Sequence, residues 1–310
     1  MQNKIIVFGG ANVDFIIKSS RFPKAKGVIG DGVFSQISGG TGVNHTVAIS
    51  KAGGKATFIG SLGTDIYADK LQLNLLEYGA NTRYIFYKEN IPTGVAMIMV
   101  NKEGENMVSI APGANAHLSI EDIQSIEDSA FEGVAYAVLQ LEIPKKTAEY
   151  IIELCARRHL PLLLNFSPVI DLSPALYHKV SLVLINEREA ELITGIKEAD
   201  VLENLPKVVA LLKEKGFQKG VINIGKKGSY LFDQHIEKHI KGFEVDVLDT
   251  TAAGDAFCGN LVQKLVEGET FEESVRYANA AGAISVSRLG TSASLPTKDE
   301  VECFLKALKE

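Results

Sequence analysis

Cysteine is scarce in this sequence. The 310 residues include three, Cys155, Cys258 and Cys303, which are odd in number and far apart, and none forms a C-x-x-C pair. That spacing argues against a disulfide framework or a structural zinc site and leads to the expectation of a reducing, cytoplasmic setting. Long apolar runs are also missing. None reaches the roughly 18 residues needed for a membrane-spanning helix, so no membrane partner is expected. The N-terminus MQNKIIVFGG lacks a charged leader ahead of an apolar run and a small-residue cleavage site, and it reads as a first strand. Positive charge is not concentrated either. The formal net charge is −6 and the lysines and arginines are scattered, without the basic stripe that nucleic acid would require.

What the chain does have is alternation. Short β-rich runs lie at 5–8, 56–62, 135–141, 160–166, 181–186 and 220–224, several with consecutive apolar residues as in strands buried on both faces. Helical patterns lie between them, at 43–53, 65–78, 145–158, 187–195 and 204–215. Gly53, Gly79, Gly195 and Gly216 sit where a left-handed residue ends a helix. This order predicts an α/β fold with a mainly parallel sheet and helices on both faces. The segments 13–18, 31–38, 94–101 and 106–111 read as strands without helices between them, and they predict a small antiparallel sheet projecting as a lid from a single 1–310 domain. Three helices are expected in the last third, near 254–267, 271–288 and 297–308.

The most informative segment is DTTAAGDAF, 249–257. It follows a strand-like run, FEVDVLD, and precedes an amphipathic helix. Ala252, Ala253 and Gly254 are small enough for close backbone approach, and amides at a helix N-terminus favour an anion such as a phosphoryl group in transfer. Asp255 in the first turn can accept a proton from an attacking hydroxyl. The plainer alternative is an Asp-capped helix after a small-residue turn. Two nucleotide motifs fail. Gly220 to Lys226 matches the start of a P-loop, but Lys227 stands where Ser or Thr is needed for magnesium, and VINI reads as a strand. GGAN at 9–12 lacks the third glycine of a dinucleotide fingerprint. His235 and His239 read as a solvated hairpin, Cys258 as core, and Met97 and Met99 as lid packing residues.

Several short motifs occur in order: GGANVD, GGTGVN, TGVAMIMVNKEGEN followed by GAN, QLEIP, NEREAE, IGKKG, DTTAAGDAF and AAGAISVSRLGTSASLP. Together they resemble the ribokinase family of sugar kinases over essentially the whole chain. The resemblance implies a ribokinase-like fold with a β lid and an ATP-dependent carbohydrate kinase. It implies Asp255 as the base, with Ala252, Ala253 and Gly254 as the anion hole. Sugar hydroxyls fall to Asn12, Asp14, Gly40, Thr41, Asn44 and Glu142, and ATP to Asn186, Asn223, Gly225, Lys226, Gly228, Gly254 and Asn279. Mg2+ falls to Glu189 through water. A monovalent cation, K+, falls to Asp249, Thr251, Ser285, Arg288, Gly290 and Ser294. Conversion of D-ribose to D-ribose 5-phosphate is the leading expectation. Deoxyribose, fructose, a ketodeoxygluconate, a nucleoside and a non-catalytic sugar sensor are the alternatives. Thr41 stands where the family pattern GGKGAN has lysine, and Asn279 where many members have histidine. A homodimer through the lid is expected.

Overall fold

In the computed structural model, which describes residues 3–308, the apolar runs become strands and the amphipathic stretches between them become helices. The first half contains β1 (Lys4–Phe8), β2 (Asn12–Lys18), β3 (Val33–Gly39), α1 (Thr41–Lys51), β4 (Lys55–Leu62), α2 (Ile66–Glu77), β5 (Asn81–Tyr87), β6 (Gly94–Val100), β7 (Asn106–Ala111), α3 (Ile120–Ala130), β8 (Val134–Gln140) and α4 (Lys145–Arg157). It continues with β9 (Leu162–Asn165), β10 (Leu182–Asn186), α5 (Glu187–Thr194), α6 (Glu198–Val201), α7 (Leu205–Lys215), β11 (Gly220–Asn223), β12 (Gly228–Phe232), β13 (Glu237–Lys241), α8 (Ala253–Glu267), α9 (Phe271–Val286) and α10 (Lys298–Ala307).

Nine strands form one sheet in the order β13-β12-β11-β10-β9-β8-β1-β4-β5. Every pairing from β11 to β5 is parallel, and the β12–β13 hairpin adds an antiparallel edge. Alternation along a strand explains why both faces are covered. On β1, Ile6 and Phe8 join a core with α3, α4 and α7, whereas Ile5 and Val7 face the other way, into a core with Phe257, Leu261 and Val275 of α8 and α9. The parallel pairing follows from the intervening helices, because a crossover connection returns the chain in the same direction.

The second sheet has the order β3-β2-β6-β7. The expectation of a wholly antiparallel lid is corrected here, since β2 and β6 are parallel while the outer pairs are antiparallel. The segment between β2 and β6 leaves this sheet for the large one, through α1, β4, α2 and β5, so β6 re-enters in the direction of β2. Residues 31–32 are not part of β3. The strand-like run before DTTAAGDAF is also corrected. Residues 243–249 form no strand, and their polar alternation is met instead by two amides, Leu248 and Asp249, that donate to the Val286 carbonyl at 2.8 and 3.1 Å. Met97 is 52% exposed, not packed. Gly53, Gly79, Gly195 and Gly216 all have the positive φ expected of them. Among the described residues no helix is long and apolar enough to cross a membrane.

Candidate active site

The parallel strands end in a row of amides. Gln140, Asn165, Asn186 and Asn223 are the last residues of β8, β9, β10 and β11, and they stand in register: Gln140 opposite Asn165, and Asn186 opposite Asn223. Ligands of open α/β sheets bind outside such carboxyl ends.

At the β1–β8 end of this row, Gln140 is buried and works as a hub. Its Oε1 accepts the Gly10 and Glu142 amides at 3.1 and 3.0 Å, and its Nε2 donates to the Ser167 carbonyl at 3.0 Å. These bonds place Glu142 across the backbone of Gly10, where an added Cβ would lie 2.5 Å from Glu142 Oε2. Asn12 Nδ2 and Thr41 Oγ1 then donate to the two oxygens of Glu142, at 3.4 and 3.3 Å. Asn12 is held from behind by Asn115, whose Nδ2 donates to Asn12 Oδ1 at 2.9 Å and whose Oδ1 accepts the Ala11 amide at 2.9 Å.

Asp14 lies on β2 with its carboxylate over Gly39; a Cβ there would sit 2.2 Å from Asp14 Oδ2. Gly40 follows with φ 89°, a left-handed conformation that turns the chain from β3 into α1. That turn sets Asn44 on the first turn of α1 and aims it at α8. Asn44 Nδ2 donates to Asp255 Oδ2 at 2.8 Å. On the same helix, His45 Nε2 is 3.2 Å from Asp255 Oδ1.

Asp255 therefore shares one pocket with two further carboxyl groups. Burial raises the Asp14 pKa to about 7, helped by the charges of Glu142 and Asp255. Burial also raises Glu142, with Asp255 adding to the effect and the Thr41 hydrogen bonds opposing it. Asp255 itself is in the first turn of α8, behind Ala252 at φ 61°. A non-glycine residue in this region is strained, and the turn it makes is closed by the Ala253 amide, which donates to the Thr250 carbonyl at 3.4 Å. Gly254 borders open space. A helix N-terminus beside a carboxylate is suited to receiving a phosphoryl group and taking a proton.

The chain matches the pfkB family carbohydrate kinase over residues 2–298. It belongs to that family. The kinase is 32% identical over 306 residues to the ribokinase of Haemophilus influenzae, with 99% of each chain covered. It is also 32% identical over 305 residues to the deoxyribokinase of Salmonella typhi, covering 97% of this chain and 98% of the other. The structure of Arabidopsis thaliana ribokinase complexed with ribose and ATP matches with a TM-score of 0.89 at 27% identity, over 99% of both chains. The kinase is accordingly an ATP-dependent carbohydrate phosphotransferase with a ribokinase-like fold.

The far end of the amide row holds the residues expected at ATP. Asn186 and Glu189 form a capping box on α5: Asn186 Oδ1 accepts the Glu189 amide at 2.9 Å and Glu189 Oε2 accepts the Asn186 amide at 2.8 Å. Burial raises the pKa of Glu189, partly offset by the Asn186 amide. Among the described residues no group of three His, Cys, Asp or Glu side chains could hold a metal. A single carboxylate with water and phosphate ligands suits Mg2+, which keeps much of its hydration. Gly225 and Gly228 take φ 54° and 98° around Lys226 in the turn after β11. Asn279 differs from a free ligand residue: it accepts from Ser229 Oγ at 2.6 Å and donates to the Ile240 carbonyl at 3.2 Å, tying α9 to the hairpin. Ser229 also reaches Asn223 Oδ1, at 3.0 Å.

The residues expected at K+ come from two segments that touch. Asp249 Oδ1 accepts the Thr251 amide at 2.9 Å and Asp249 Oδ2 the Gly290 amide at 3.1 Å. Ser285 Oγ and Ser294 Oγ are 3.1 Å apart, while the Arg288 side chain turns to Glu300 at 2.8 Å and leaves its backbone to the loop. Burial opposes the charge of Asp249, but the Thr251 and Gly290 hydrogen bonds outweigh it and hold the pKa low. An ionised carboxylate at this place suits a monovalent cation.

Gln140, Asn115, Asn165, Ser229 and His45 are not among the site residues expected from the sequence. Gln140 and Asn165 carried one signal, a polar residue at the end of an apolar strand, as in VAYAVLQ and LLLN; Asn115, Ser229 and His45 carried none.

Proposed function

We propose that the kinase transfers the γ-phosphoryl group of ATP to the primary hydroxyl of D-ribose, giving D-ribose 5-phosphate. The observation that carries this reading is the convergence of Asp14, Asn44 and Glu142 on Asp255 at the N-terminus of α8. A small polyol buried there would find an acceptor or donor for each hydroxyl. Asp255 takes the proton of the attacking hydroxyl. The amides of Ala252, Ala253 and Gly254 bear the charge that develops on the transferred group. ATP lies along Asn186, Asn223 and the Gly225–Gly228 turn, with Mg2+ held through water by Glu189. K+ sits behind the anion hole and stiffens it, so that replacing K+ by a bulky organic cation lowers kcat more than it raises the KM for ATP. The four-stranded sheet acts as a lid, and the chain works as one kinase unit. Three free cysteines suit a cytoplasmic setting.

Deoxyribose is the second reading. It is favoured by the similarity to a deoxyribokinase at the same 32% identity and by Thr41 in place of a charged side chain at the sugar. A coupled assay of ADP release across pentoses, deoxypentoses, hexoses and nucleosides tests both. The ribose reading requires the highest kcat/KM for ribose. A tenfold preference for another sugar, roughly 1.4 kcal/mol of discrimination, overturns ribose and retains the kinase.

A further inference from the structure

His45 is fully buried on α1, one residue beyond Asn44, and no step proposed above uses it. A buried histidine needs a reason, because its ring carries a donor that must be met inside the protein. Here the two ring nitrogens have different surroundings. Among the described residues, Nδ1 has no hydrogen-bond partner. Nε2 lies 3.2 Å from Asp255 Oδ1 and 3.2 Å from the side-chain amide of Asn165 at the end of β9. A neutral imidazole has a single N–H. An Nδ1–H would be left unmet, and a bare Nε2 would turn its lone pair on a carboxylate, which can only accept. The tautomer with the proton on Nε2 avoids both. The Asn165 amide then turns its oxygen to the same N–H, an orientation set by the network it joins.

We propose that His45 is a positioning residue for the phosphoryl-transfer reaction, donating Nε2–H to Asp255 Oδ1 and so holding the base in its carboxylate form and in one rotamer. The proposal rests on Asp255 being that base. With Asn44 on Oδ2 at 2.8 Å, the two donors come from consecutive residues of one helix and grip both oxygens.

The groups around the imidazole make such a donor necessary. Asp255 and the Cys258 thiol face it from α8, neutral Asn165 from β9, and Glu142 from the segment after β8. Asp14 on β2 faces Asp255 in turn, and Tyr136 on β8 faces Cys258. Glu142 and Asp14 are like charges gathered on the base, and a buried donor is the group that offsets them. The pKa of His45 is raised above its ordinary value: burial lowers it, but Cys258 and Asp255 prevail. Both the neutral Nε2–H form and the imidazolium present the same N–H to Asp255.

The test is the pH profile of kcat for the parent, His45→Leu and His45→Gln, with Asp255→Asn as the reference. His45→Leu removes the donor. Its kcat at neutral pH should fall about 10- to 100-fold, its acid limb should move toward alkaline pH by roughly one unit, and the KM for sugar should stay within about threefold. Glutamine of similar reach can donate without titrating, and His45→Gln should restore the acid limb and most of kcat. An acid limb unmoved in His45→Leu, or a glutamine variant as impaired as the leucine one, overturns the proposal while an inactive Asp255→Asn keeps the base assignment. Near-parental turnover in Asp255→Asn overturns both. Should the leucine variant not fold, 15N correlation spectra of the parent imidazole decide: a protonated Nε2 is required, and a bare Nε2 overturns the proposal.

Discussion

Asn44 Nδ2 lies 2.8 Å from Asp255 Oδ2 although 211 residues separate them in the chain. The contact joins the first turn of α1 to the first turn of α8, two helices packed on the same face of the large sheet. It restrains the carboxylate of the proposed base and brings the proposed sugar-binding loop against the proposed anion hole.

Replacing Asp255 by asparagine keeps the shape and removes the proton acceptor. Turnover should fall roughly 10²- to 10⁴-fold, with binding of sugar and ATP largely retained by calorimetry. Turnover within a few-fold of the parent would remove Asp255 as the base.

Asp14 makes the unliganded protein sensitive to pH. Its folded pKa of about 7 lies above the usual carboxylate value, so the folded state binds this proton more tightly than the unfolded chain does. The penalty is absent below about pH 4, grows as pH rises and is complete above about pH 7. The upper bound of this effect is about 4 kcal/mol. The Tm of the sugar-free enzyme should therefore decline by a few degrees from pH 5 to pH 8. Asp14→Asn should flatten that decline and raise the Tm at pH 8, while increasing the KM for sugar. Parallel Tm curves for parent and variant would show that Asp14 is not held in this environment.

Glu189 has two separable roles. As the acceptor of the Asn186 amide it supports α5, and glutamine can still accept that bond, so Glu189→Gln should change stability by less than about 1 kcal/mol. As a holder of hydrated magnesium it needs its charge, and the Mg2+ concentration for half-maximal rate should rise several-fold. An unchanged magnesium titration leaves only the capping role.

Thr41 donates to Glu142 at 3.3 Å. A lysine in its place would set an ammonium beside Glu142 and the other carboxyl groups of the pocket. Thr41→Lys should lower the KM for ribose at most a few-fold and leave kcat near the parent value if Asp14, Asn44 and Glu142 supply the main hydroxyl contacts. A reversal of preference between ribose and deoxyribose, read as the ratio of their kcat/KM values, would make Thr41 the determinant of the sugar.

The second sheet leaves Phe34, Met97 and Met107 on one face, and Val108 and Ile110 on the opposite face, that of Asp14, more than half exposed. An apolar face of that kind is usually covered by a partner, and a second copy of this chain is the proposed one. Light scattering at micromolar concentration should give a dimer, and Ile110→Lys should shift it toward monomer. A monodisperse monomer for the parent refutes it.

The large sheet was legible in the chain because its signals are local. Runs such as IIVF and LVLI are buried on both faces, and the glycines closing the helices at 195 and 216 follow from backbone sterics alone. Asp255 was legible for the same reason, since small residues, a turn and a helix start lie within one short segment. Direction and distance between segments were not legible. Periodicity marks β2 and β6 as strands but cannot say that they run parallel, because that depends on the route taken by the 75 residues between Lys18 and Gly94. The run at 243–249 alternates like a strand yet finds no neighbouring edge to pair with. His45 looked like any residue on an apolar helix face, and Gln140 and Asn165 like strand ends. The sequence by itself determined the elements and the chemistry of one motif. Only the tertiary structure decided which buried polar atoms face one another, because a hydrogen bond between residues far apart in the chain exists only once the core has packed and excluded water from both.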